Sequence, residues 1–103
     1  MNVKEICLFI MKQLVKTLST NFPNYKFSIC RNACFCDLIV KIKPVNKAET
    51  FAYYGGDDCG YIVDNSSYYS IANKFQSEFA KQNIRVMEFI ENPKTMLLEF
   101  KQL

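Results

Sequence analysis

Apolar residues recur at three- and four-residue intervals from Val3 through Ile6, Phe9/Ile10 and Leu14 to Leu18. That period draws one stripe along a helix and predicts a first helix over Asn2–Thr20. Cys7, Leu8, Met11 and Val15 widen the stripe, while Lys4, Lys12 and Lys16 share the polar side. A helix so broadly apolar needs cover over much of its circumference, from the sheet alone or also from a second protomer in a homodimer. Asn21-Phe22-Pro23-Asn24 ends it, because a residue before proline is pushed out of the α region.

The period then changes to two. Tyr25, Phe27 and Ile29 alternate with Lys26, Ser28 and Cys30, and Cys36, Leu38, Val40 and Ile42 alternate with Asp37, Ile39, Lys41 and Lys43. Two such runs joined at Arg31-Asn32-Ala33 predict an antiparallel hairpin, closed by Pro44. Glu49–Tyr54 reads as a short strand and Tyr61-Ile62-Val63 as its return. The loop between them holds all three glycines and the adjacent acids Asp57 and Asp58. Asp64-Asn65-Ser66-Ser67 is a cluster of helix N-cap residues, and Ile71, Phe75 and Phe79 continue as one face of a second helix over Ser67–Gln82. Ile84–Ile90 and Thr95–Lys101 form a second hairpin about Glu91-Asn92-Pro93-Lys94, with Met96, Leu98 and Phe100 as an apolar row. The order α-β-β-(β-β)-α-β-β predicts a single small α+β domain over residues 1–103, with both helices on one face of an antiparallel sheet. The other sheet face is then open for interaction.

Composition narrows the chemistry. A chain of 103 residues fits one domain with a modest core, rich in rings from nine Phe and six Tyr. A net charge of +3 is weaker than the footprint of a strong nucleic-acid binder and of the wrong sign for a DNA mimic. There is no histidine, which removes the commonest general base and metal ligand and every Ser/His or Cys/His nucleophile system. Charges at Lys4, Glu5, Lys12 and Lys16 interrupt Met1–Leu18, so neither a secretory leader nor a membrane span is expected. The five cysteines then read as free thiols in a reducing cytoplasm.

Cys30, Cys34, Cys36 and Cys59 come nearest to a zinc set, yet they lack the paired C-x2-4-C spacing and Cys36 falls in the core row. No metal or other cofactor is expected. Asp57 and Asp58, with Asp64, could hold a divalent ion or do acid–base work. Their glycine-rich setting favours a solvated turn. Gly55-Gly56 lacks the Lys and Ser/Thr of a phosphate loop. The expectation is a binding protein and not an enzyme.

Two surfaces are candidates for binding. Tyr53, Tyr54 and Tyr61 bracket Asp57 and Asp58, and tyrosine offers large contact area at small entropic cost, so this segment suits a protein partner. Tyr68 and Tyr69 bracket the same loop, and all five tyrosines suit a core margin as well as a binding surface. Lys26, Arg31, Lys41 and Lys43 can form a basic patch on the first hairpin, opposite its apolar row, which suits the backbone of a nucleic acid.

The run Leu14-Val15-Lys16-Thr17-Leu18-Ser19-Thr20-Asn21-Phe22-Pro23-Asn24-Tyr25-Lys26-Phe27-Ser28-Ile29 resembles the opening of the large polyvalent protein-associated domain 29 family. In that family a leucine-spaced helix ends in a Phe-Pro-x-x-Lys-Phe-Ser-hydrophobic run, matched here by Phe22-Pro23 and Lys26-Phe27-Ser28. The likeness extends over about residues 14–43. Arg31-Asn32-Ala33-Cys34 and Lys43-Pro44-Val45 stand where the family has a Gly/Ser-rich turn and an Asp-Gly-Pro turn. The resemblance implies a protein of phages and mobile genetic elements, suspected of countering host defences. On that reading the chain stoichiometrically inhibits a host protein or nucleoprotein complex, of the anti-CRISPR or anti-restriction kind. The alternative is a nucleic-acid-binding module on the basic hairpin face.

Overall fold

A computed structural model describes residues 3–31 and 38–102, and the side chains of Val3, Lys4, Arg31 and Gln102 lie outside that description. The elements are α1 (Val3–Asn21), β1 (Tyr25–Arg31), β2 (Leu38–Pro44), β3 (Ala52–Tyr54), β4 (Tyr61–Val63), α2 (Ser66–Ala80), β5 (Ile84–Asn92) and β6 (Thr95–Gln102). This is the expected α+β order. Residues 32–37, which hold the expected turn positions Asn32 and Ala33, the expected strand positions Phe35, Cys36 and Asp37, and Cys34, lie outside the described residues.

Four strands form one antiparallel sheet in the order β1-β2-β6-β5. Within it, Tyr25, Val40, Ile42, Ile84, Val86, Met96, Leu98 and Phe100 are buried in the core with Cys7, Met11, Leu14 and Leu18 of α1 and Tyr68, Ile71, Ala72, Phe75 and Phe79 of α2. Both helices therefore cover the same sheet face. Phe75, Phe79 and Phe100 pack as a ring trio, with centroids 4.7 Å apart for Phe79–Phe100 and 5.8 Å for Phe75–Phe100. Such offset and edge-on ring contacts add to the stabilisation from apolar burial.

Strands β3 and β4 make a separate two-stranded ribbon. Its root is fastened to the body. The Phe51 and Ala52 amides both donate to the Pro93 carbonyl in the β5–β6 turn, at 2.7 and 3.3 Å, and the Asp64 amide donates to the Phe51 carbonyl at 3.0 Å. Phe51 is fully buried, stacked on Tyr25 at 5.3 Å and edge-on to Tyr68 at 6.0 Å.

Candidate binding surfaces

The ribbon turns on its glycines. The Gly55 amide donates to the Gly60 carbonyl at 2.8 Å, and the Cys59 and Gly60 amides donate to the Gly56 carbonyl at 3.1 and 2.9 Å. Gly56 and Gly60 adopt φ of 116° and 63°, conformations that a side chain resists. Gly55 is tight for another reason: a Cβ there would come within 2.3 Å of Ile62 Cδ1.

Register decides which candidate residues meet. Tyr54 pairs with Tyr61 across the ribbon, and Tyr53 pairs with Ile62. Strand residues alternate between faces, so Tyr54 and Tyr61 share one side and Tyr53 and Ile62 the other. The Tyr54 and Tyr61 rings meet edge-on at 5.9 Å, and the Tyr54 hydroxyl donates to Asp57 Oδ1 at 2.8 Å. That bond to a carboxylate holds the Tyr54 proton and pushes its phenol pKa up, with smaller contributions from partial burial and from Tyr61. A phenol so held is a poor base near neutrality and a good hydrogen-bonding surface.

The structure thus unites Tyr54, Asp57 and Tyr61, places Tyr53 on the reverse side, and leaves Asp58 exposed in the turn. Ile62, 37% exposed, joins Tyr53 there. Sequence reading missed it, since an isoleucine between Tyr61 and Val63 reads as core; only the cross-strand register reveals its side. Tyr68 belongs to the core at 3% exposure, while Tyr69 is half exposed and edge-on to it at 5.3 Å.

Three of the four basic candidates, Lys26, Lys41 and Lys43, lie on the sheet face away from the helices. Lys26 pairs with Lys43, Ser28 with Lys41 and Cys30 with Ile39. Lys26, Ser28, Cys30, Lys41 and Lys43 line an open depression of about 210 Å³. Arg31, the last residue of β1, pairs with Leu38, so its backbone position falls in the row of Tyr25, Phe27 and Ile29 rather than that of Lys26. The same open face carries residues that sequence reading did not assign to it. Leu97 and Phe89 pair beside Lys41, and Met87 and Glu99 beside Ile39. Among them Phe89 is 40% exposed.

Of the thiols, Cys7 is buried, Cys30 half-buried and Cys59 exposed, and burial pushes the Cys7 thiol pKa up. Among the described residues no three Cys, Asp or Glu side chains gather as a metal-binding group. No described helix is long and apolar enough to cross a membrane. Comparison with known proteins matched no family model, no curated protein and no solved structure.

Proposed function

We propose that the chain is a small non-catalytic binding protein that occupies its target one-to-one through the β3–β4 ribbon. The observation that carries this reading is the concentration of apolar surface there. Tyr53, Tyr54, Tyr61 and Ile62 make up half of the eight large hydrophobic side chains exposed among the described residues, and all four fall on one short ribbon. Natural surfaces scatter exposed apolar side chains, and a concentration of them marks an interaction site. Tyrosine rings supply large contact area at small entropic cost, and Tyr54 is already oriented by Tyr61 and Asp57. Asp57 and Asp58 at the tip add negative charge, which suits a basic site on the partner.

The resemblance of residues 14–43 supplies the setting. In that setting the chain is a protein of a phage or mobile element acting in the cytoplasm of a bacterial host, and its target is a defence component of the CRISPR or restriction kind. Blocking fits a chain without histidine, because covering a functional site needs no catalytic group. The test is phage plating on bacteria that carry defined CRISPR or restriction systems, with and without the chain. Plating is expected to recover against one of those systems, and to be lost again with the Tyr54→Ala/Tyr61→Ala variant. Unchanged protection by that variant would exclude the ribbon as the working surface.

A further inference from the structure

Independently of the ribbon, we propose that the open face of the four-stranded sheet binds single-stranded nucleic acid. Its phosphates would lie along Lys26, Lys41 and Lys43, and a base would stack on Phe89. The first observation is a like-charge pair: Lys26 and Lys43 stand directly opposite each other in the β1–β2 register. Among the described residues neither is in an ion pair. Opposed like charges destabilise a sheet, and a bound anion removes that penalty. Lys41 joins them in lining the depression, beside the Ser28 hydroxyl.

The second observation is that the arrangement recurs across the same face. Arg85 and Lys101 also pair directly, and both are exposed. They lie three side-chain rows from Lys26 and Lys43, roughly 20 Å along the strands. Among the described residues two carboxylates share this face, and each is engaged: Glu91 with Lys41 at 3.6 Å and Glu99 with Lys101 at 3.4 Å. The face as described therefore keeps a positive surplus.

The third observation selects the kind of polyanion. Between the two basic corners lie the apolar side chains Ile39 and Met87, on either side of Glu99, and Leu97 and Phe89, in the row of Lys41. The ring of Phe89 is exposed and shares a row with Leu97 and Lys41. Aromatic rings on a sheet flanked by cations receive unstacked bases, which a duplex does not offer. An acidic peptide would use the lysines and leave the ring idle.

The experiment is fluorescence anisotropy of a labelled oligothymidylate of about 12 nucleotides, titrated with the full chain across a salt series. Neutralising three phosphates gives a slope of about −2 in log affinity against log salt, or roughly fifteen-fold weaker binding when salt rises fourfold. Lys26→Ala/Lys43→Ala is expected to bring that slope to about −0.7, and Phe89→Ala to weaken binding roughly tenfold with the slope unchanged. Both sites are on the surface, and circular dichroism melts establish that each variant is folded. Absence of binding at low salt overturns the proposal, as does full binding by folded Lys26→Ala/Lys43→Ala. Equal affinity for a duplex of the same length, or equal displacement by oligoglutamate, overturns the assignment to single strands. Ribbon variants such as Tyr54→Ala are expected to bind the oligonucleotide normally, so the two surfaces are tested separately.

Discussion

The Tyr25 hydroxyl donates to Glu49 Oε1 at 2.7 Å and accepts from Asn65 Nδ2 at 3.1 Å. Asn65 in turn caps α2, its Oδ1 accepting from the amides of Ser67 and Tyr68 at 2.9 and 3.3 Å. One hydroxyl thus ties β1 to the chain before the ribbon and to the start of the second helix. Tyr25→Phe is expected to cost about 1 kcal/mol, and Asn65→Ala about 1–2 kcal/mol, read as melting temperatures lowered by about 4–8 °C per kcal/mol. Tyr68 gives a pH signature. Burial, then the charge of Glu88 and the neighbouring Tyr69, pushes its phenol pKa from 10.0 up to about 12. The folded chain therefore holds this proton to higher pH than the unfolded chain does. Its contribution is complete below pH 10.0 and is lost as pH rises from there through about 12. Urea midpoints measured across the alkaline range are expected to fall over that window, and to fall less steeply in Tyr68→Phe.

At the scale of elements, hydrophobic period was enough to reveal both helices and the four strands of the main sheet, because one face of each must meet one core, whereas the short ribbon strands were legible only from their aromatic residues around a glycine-rich loop. Boundaries needed more. Four N-cap candidates stand together at Asp64-Asn65-Ser66-Ser67, and the cap is Asn65, whose backbone is extended (φ −161°, ψ 114°). The second helix stops at Ala80, short of Gln82, and Asn83 takes a left-handed φ of 57° before β5. Asparagine tolerates that conformation, and the pattern of apolar residues does not report it. Strand order was not legible either. Both hairpins are local, but β2 beside β6 is a long-range pairing, and neither hairpin pattern states which edge it offers. The working surfaces share that limit: Tyr54 beside Tyr61, Tyr53 beside Ile62, and Phe89 on the open face all follow from register. Two element-level outcomes follow. Lys26→Glu replaces a repulsive cross-strand pair with an attractive one and should stabilise the fold by about 0.5 kcal/mol in thermal melts. Gly60→Ala forces a side chain into φ 63°, and should cost about 1–2 kcal/mol and loosen the ribbon turn in amide exchange.

Across the described residues, one face of each helix and one face of the sheet are committed to the core, and two other surfaces carry the candidate sites. An acidic, tyrosine-rich ribbon is fastened at its root to the β5–β6 turn. A basic sheet face with the exposed ring of Phe89 lies on the side away from the helices. A chain bearing both could engage a nucleoprotein complex, with the ribbon against protein and the sheet against nucleic acid. Stoichiometric occupation through the ribbon fixes the shape of a titration. The most direct test titrates the chain into the purified defence complex against which plating recovers, following the activity of that complex. Inhibition is expected to rise linearly and to break at one equivalent, with Tyr54→Ala/Tyr61→Ala shifting or abolishing the break while melting as the parent does. Complete inhibition far below one equivalent, or an unchanged titration with the folded variant, would contradict it.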